Sequence, residues 1–206
     1  MTMPTLKEAK ILFENACKIT DEYNLQDGLP KGTSRRHYLR VAENAKLIAS
    51  KTVYLNPEKA YILGLLHDYG EYLTHHQVDM FHGTAGYDEM KKQGFDEVAK
   101  VCLSHSFFCG DILPEEYTGY PAAEIKRAAK YIKLNPLDDY DRLIQISDLM
   151  VMVDKNTDIL QRLDYVAAKY NVSADIIAKK KQQALSLKAY FDNLCEQDIY
   201  KIVGIM

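Results

Sequence analysis

An all-α fold is what this sequence predicts, and three observations carry the prediction. Apolar residues recur at spacings of three and four along nearly the whole chain, the period of a helix that buries one face. Strand-like alternation is scarce. Helix-start chemistry recurs ahead of the apolar runs, at Thr5, Asn56, Asp96 and Ser173. The chain has 206 residues, with no internal repeat and no low-complexity tract. That size suits one domain that buries roughly 70% of its unfolded surface without disulfide staples.

The elements follow in order. Thr5-Leu6-Lys7-Glu8 is a capping box that opens the first helix, in which a hydroxyl and a carboxylate satisfy free backbone N–H groups reciprocally. Leu12, Ala16 and Ile19 share a face, and the stretch from Asp27 to Gly32 breaks the helix. A second helix is expected from about Ser34 to Ser50, with His37, Val41, Ala45 and Ile48 on one stripe. Asn56, Pro57 and Glu58 start a third, whose face carries Ala60, Leu63 and His67 and whose stop is Gly70. A fourth spans roughly 79–93. Asp96 caps a fifth with the stripe Val98, Val101, Cys102 and His105. Residues 107–121, FFCGDILPEEYTGYP, are the longest irregular stretch. Helices near 122–133, 138–154 and 158–170 follow, and Ser173 caps the last, through about Leu194. The organisation is then an N-terminal helix and loop (1–33), a core (34–154), and C-terminal helices completing the same bundle (155–206).

Composition excludes several classes. Hydrophobic residues are 47% and charged residues 27%, which rules out wholesale disorder. A net charge of −3 argues against an extended nucleic-acid surface. No run of about 18 apolar residues suggests a membrane span. The opening MTMPTLKEAK has no basic segment followed by an apolar one, as a signal peptide would. Cys17, Cys102, Cys109 and Cys195 are scattered without a CxxC and read as reduced, so a cytoplasmic protein is expected.

The chemistry concentrates at Leu65-Leu66-His67-Asp68-Tyr69-Gly70-Glu71. It puts an imidazole and a carboxylate side by side at the end of an apolar helix. A buried carboxylate without a partner costs several kcal/mol, so a partner is required. Imidazole plus carboxylate is a common divalent-metal pairing, and a helix C-terminus favours a cation. His37 lies on an apolar face after Arg35-Arg36. His82 precedes Gly83 and Gly86, where missing side chains permit close approach. His105 ends an apolar stripe, and Asp148 sits inside the apolar run Ile144–Val153. Five helices thus turn one such group each toward the side they bury, and a shared metal centre would satisfy them together.

The order His37, His67-Asp68, His82, His105, Asp148 resembles the HD-domain metal-dependent phosphohydrolases. The flanking text agrees over about residues 34–154: HYLRVAENAKLIA, AYILGLLHDYGE, VCLSHSF and LIQISDLM. The resemblance implies a bundle of about eight to nine helices with the metal site at its centre. It implies that His37, His67, Asp68 and Asp148 hold one divalent ion. His82 and His105 would hold a second, with Asp68 bridging. Fe, Mn, Zn, Ni and Co all suit such ligands. Paired cations would neutralise charge on a phosphoryl group and lower the pKa of a water between them. Glu71, three residues after Asp68, matches a Glu of related nucleotidases and is the candidate general acid or base.

Arg36, Arg40 and Lys133 are the candidate phosphate contacts. Phe107, Phe108, Tyr117 and Tyr120 are placed to stack on a nucleobase if their loop is a lid, with a packed surface loop as the plain alternative. His75 and His76, in a polar turn, read as non-ligands at the rim, and Lys179-Lys180-Lys181 reads as a solvated helix face. The expected activity is phosphoric ester or anhydride hydrolysis on a nucleotide or similar small phosphorylated metabolite. Nucleoside monophosphates, dinucleoside polyphosphates and phosphodiesters all remain open as substrates. A catalytically silent nucleotide-binding regulator and a di-iron oxygenase are the alternatives, and a homodimer stays open.

Overall fold

The Thr5–Glu8 box forms: the Thr5 N–H donates to the Glu8 carboxylate at 2.8 Å, and the Glu8 N–H to the Thr5 hydroxyl at 3.3 Å. It opens α1 (Leu6–Gln26). The computed structural model of the chain describes residues 2–26, 32–74, 80–112, 117 and 119–205. Most of the expected break after α1 lies outside them. At its far end the Gly32 N–H donates to the buried Asp21 carboxylate at 2.7 Å, which brings the start of α2 (Thr33–Ala49) back against α1. The buried stripe of α1 is Ala9, Phe13, Ala16 and Cys17. Leu12 and Ile19 flank that stripe instead of leading it.

Asn56 caps α3 (Pro57–Leu66) by accepting from the Lys59 N–H at 2.9 Å. The helix ends earlier than periodicity predicts, with His67 as its C-cap, and a short α4 (Glu71–Thr74) follows the turn. Helices α2 and α3 touch through Gly64, where a Cβ would fall 2.8 Å from the Ala42 Cα. Next come α5 (His82–Lys92) and α6 (Asp96–Ser104). Asp96 is the first helical residue of α6, not its cap; Phe95 holds the cap position without a side-chain hydrogen bond, and Asp96 pairs with Lys91. A 3₁₀ turn (Phe108–Gly110) leads on to α7 (Ala122–Leu134).

Asp138 and Asp141 form a second capping box at the start of α8 (Asp139–Leu149). The expected helix to 154 stops at Leu149. A two-residue hairpin replaces its end: β1 (Val151–Met152) pairs antiparallel with β2 (Lys155–Asn156). Val151-Met152-Val153 is continuous apolar sequence that a helix or a strand can use. Val153 turns the chain at φ 60°, a strained position for a β-branched residue, and Arg36 clamps the neighbouring Asp154 at 2.9 Å. Asp158 caps α9 (Ile159–Tyr170) and Ser173 caps α10 (Ala174–Cys195). A final α11 (Ile199–Val203) was not anticipated.

The structure is therefore all-α apart from the hairpin. It has eleven helical segments among the described residues, the short α4 and α11 accounting for the excess over eight to nine. One apolar cluster runs from Ala9 in α1 to Val203 in α11, so the C-terminal helices share the core. A second cluster joins Phe81, Leu103, Phe107, Tyr117, Ile125 and Ile132 beside α5–α7. No helix among the described residues is long and apolar enough to cross a membrane. The four cysteines are free, and only Cys109 is exposed. The lysine run is paired with its surroundings: Lys179 meets Asp111 at 2.8 Å and Lys181 meets Asp164 at 2.5 Å.

Candidate metal centre

Six side chains from α2, α5, α8 and the turns after α3 and α6 converge. They form two groups, His37–His67–Asp148 and Asp68–His82–His105, each with ligand atoms within 4.8 Å of one another. The groups adjoin: the His67 and His105 rings are 5.1 Å apart, and His67 Nε2 lies 3.9 Å from Asp68 Oδ2. His67 is fully enclosed, whereas Asp148 and His82 are the most open, so the site is reached from their side.

Local backbone geometry aims these groups. Because α3 stops at Leu66, the His67 Nδ1 reaches the Gly64 carbonyl at 2.7 Å. His105 does the same to the Val101 carbonyl at 3.1 Å. A carbonyl can only accept, so Nδ1 carries a proton and Nε2 is the nitrogen turned inward. Gly70, expected to stop the helix, serves a close approach instead. A Cβ there would fall 1.9 Å from the His82 carbonyl oxygen, so its absence lets the His67–Gly70 turn lie directly on the start of α5. Gln145 of α8 donates to the Ser104 and Phe107 carbonyls at 2.8 and 3.0 Å, which fixes the turn bearing His105 and Ser106. Asp141, fully buried, pairs with Lys100 at 2.6 Å and accepts from Ser104 at 2.7 Å, locking α6 to α8.

The inward atoms lack partners. Among the described residues, His67 Nε2, Asp68 Oδ1 and Asp148 Oδ1 are buried with no hydrogen bond. His37 Nε2 stands 3.0 Å from Asp148 Oδ1, and His105 Nε2 stands 3.2 Å from Asp68 Oδ1, but neither approach has hydrogen-bond geometry. Unpartnered buried donors and acceptors are costly, and lone pairs that converge on one space suit a shared cation. This donor set of imidazoles and carboxylates fits divalent metal.

The electrostatics agree. Burial opposes ionisation of Asp68, but His105, His82 and His67 outweigh it and hold the carboxyl well below the usual range. Burial likewise opposes ionisation of Asp148, and His37 overrides it with help from His67 and Arg162. Burial lowers the pKa of His67, and that of His82 to about 4. It acts on His37 and His105 too, where Asp148 and Asp68 respectively reverse the shift upward. Glu71 lies at the rim, exposed on one side. Surrounding protein and then the Asp68 charge raise its pKa to about 8, a displacement that solvent on the open side tempers. The buried Tyr38 hydroxyl donates to it over a long 3.5 Å.

The other expected residues separate. Arg36 is held by Asp154, Arg40 is exposed one turn further along α2, and Lys133 lines a different cavity of about 490 Å³ with Cys109, Ile132 and Arg142. Phe107, Phe108 and Tyr117 are core residues, with relative exposures of 0, 8 and 8%, so they cannot stack on a base. Tyr120 alone of that set remains at the surface, its ring 6.5 Å from that of His82. His75 and His76 lie outside the described residues.

Three residues were missed. Ser106 Oγ is 3.1 Å from His82 Nε2 and 3.2 Å from His105 Nε2. On α9, the Arg162 charge acts on His37 and Asp148, and the Lys169 charge acts on Glu71. The spacing of Arg162, Tyr165 and Lys169 on one helical face was the available signal.

A family model described as HD domain matches residues 35–152. No curated protein and no solved structure matches the chain.

Proposed function

Since the chain belongs to the HD domain family, we propose that it is a metal-dependent phosphohydrolase acting on a nucleotide or related small phosphorylated metabolite. The observation that carries the reading is the convergence of His67 Nε2, Asp68 Oδ1 and Asp148 Oδ1, buried and unpartnered, with three further imidazoles. His37, His67, Asp68 and Asp148 would hold one ion; Asp68, His82 and His105 would hold a second. Such ions supply charge neutralisation at a phosphoryl group and a water of lowered pKa.

The chain's own groups do the rest. The Gly64 and Val101 carbonyls hold Nδ1–H of His67 and His105, so Nε2 is the nitrogen each turns to a cation; burial keeps His67 neutral, and His105 would give up the proton that Asp68 favours. Asp68 sits where both groups meet. Burial and the Asp68 charge raise the Glu71 pKa above the usual carboxylate range, which suits it to give a proton to a departing oxygen and take it back, with Tyr38 orienting its carboxyl. Arg162 and Lys169 place positive charge on the side facing Asp148 and Glu71, matching an anionic substrate. Arg40, at the surface beside His37, is a further phosphate contact. Tyr120 beside His82 offers a ring to a nucleobase.

The test is metal content of the purified protein with phosphate release from a panel of nucleotides and sugar phosphates, against Asp68→Ala. The expected result is bound transition metal and release that the variant lacks. Release equal in both proteins, or none in either, overturns the hydrolase reading. Retained metal with nucleotide binding but no turnover would mark a silent regulator.

A further inference from the structure

The Ser106 hydroxyl stands in an unusual relation to the Asp68–His82–His105 group. It lies 3.1 Å from His82 Nε2 and 3.2 Å from His105 Nε2, and those nitrogens are 3.4 Å apart. Asp68 Oδ1 lies 3.5 and 3.2 Å from the same two nitrogens. Five of the six separations among these four donor atoms therefore lie between 3.1 and 3.5 Å. A tetrahedral ion with donors at about 2.0–2.1 Å has corners about 3.3 Å apart.

The serine is also held in place and left available. Tyr117 donates to the Ser106 carbonyl at 2.7 Å, and Gln145 clamps the carbonyls of Ser104 and Phe107 on either side. Asp68 Oδ1 has no hydrogen-bond partner, so the Ser106 hydroxyl is not spent on it. His105 Nδ1 is committed to the Val101 carbonyl, so Nε2 is the nitrogen it turns toward Ser106. Two imidazole nitrogens, a carboxylate oxygen and a hydroxyl oxygen converge.

We propose that Ser106 is the fourth protein donor of the ion held by Asp68, His82 and His105. The proposal rests on the metal reading above and adds to it a neutral oxygen ligand.

Cobalt(II) is the probe. The wild-type chain, Ser106→Ala and Ser106→Cys are each stripped of metal and titrated with it, with folding checked by circular dichroism. The visible bands report coordination geometry, and a thiolate ligand adds an intense near-ultraviolet charge-transfer band. We expect that band in Ser106→Cys and not in the wild-type chain, and a second equivalent bound about 10- to 100-fold more weakly in Ser106→Ala. Two cobalt equivalents in Ser106→Cys without the band, or unchanged second-site affinity in Ser106→Ala, overturns the serine ligand and leaves the metal reading intact. No cobalt bound by the wild-type chain overturns both.

Discussion

Gly70 lies so close to His82 that a Cβ on the glycine would fall 1.9 Å from the His82 carbonyl oxygen and 2.7 Å from the Gly86 nitrogen. The obstacle is backbone, which cannot rotate away as a flexible side-chain end would. Gly70→Ala must therefore push the His67–Gly70 turn off α5, and with it Asp68 away from His82. The expected cost is about 2–3 kcal/mol, typical of forced insertion into a packed site. It should appear as a lower Tm together with selective loss of the second metal equivalent. The other ion, which His37 on α2 and Asp148 on α8 would hold from outside that turn, should be weakened less. A variant that binds both ions as tightly as the parent would refute this account of the glycine.

Lys100 neutralises Asp141, whose side chain is wholly buried, and also reaches Asp138 at 2.9 Å. Lys100→Met keeps the volume but leaves a buried charge unpaired. Breaking such a pair from one side costs about 3–5 kcal/mol. Denaturant unfolding should show a loss in that range for Lys100→Met. The double variant Lys100→Met/Asp141→Leu should recover part of it, because the orphaned charge is then gone. Failure of the double variant to recover anything would mean that the Ser104–Asp141 hydrogen bond, not the charge, holds α6 to α8.

For the metal-free protein the shifts set opposing limbs of stability. Asp68 and Asp148 have depressed pKa values, so the stability they contribute is present above their ordinary 3.8 and lost as pH falls toward the folded values. His67 and His82 are also depressed, so their contribution is lost as pH falls below 6.5. His37 and His105 are raised, so theirs is present below 6.5 and lost as pH rises through the folded values. Glu71, raised to about 8, adds to that loss on the alkaline side. The sum is a maximum near about pH 6. With metal bound, the imidazoles are neutral ligands and the alkaline fall should vanish. Melting curves from pH 5 to 8, with chelator and with metal, read this directly. A metal-free Tm still climbing at pH 8 would contradict it.

What was legible in the sequence is what local chemistry decides. Thr5, Asn56 and Ser173 begin helices through their own side chains, and all three do so here, whereas Asp96, expected as a cap, is the first helical residue behind Phe95. His37, His67, Asp68, His82, His105 and Asp148 were legible because imidazoles and carboxylates on apolar faces demand a partner, and the structure brings all six together. The hairpin after Asp148 was not, because Val151–Val153 carries no period and its turn depends on a strained Val153. Phe107 and Tyr117 read as a lid because an irregular stretch looks exposed, yet α7 covers them through Ile125 and Ile132. Ser106 and Arg162 are common residue types whose neighbours only tertiary packing supplies.

Arg162 offers the last prediction. Its charge is felt by His37 and Asp148, its guanidinium lies 5.8 Å from the Tyr165 ring centroid, and it belongs to a helix packed on α8 next to the site. A residue that touches a phosphate but holds no metal should affect substrate binding without changing ion content. A charge-assisted hydrogen bond contributes about 1.5–3 kcal/mol, so Arg162→Ala should raise KM for a phosphorylated substrate about 10- to 100-fold. Arg162→Lys should restore part of that, because it keeps the charge and loses the fork. Lys169→Ala should act more weakly on KM and shift the pH profile instead, since Lys169 favours the ionised form of Glu71 and its removal should move the apparent pKa of Glu71 upward. Unchanged KM in Arg162→Ala, or loss of bound metal in that variant, would place Arg162 in the scaffold and not at the substrate.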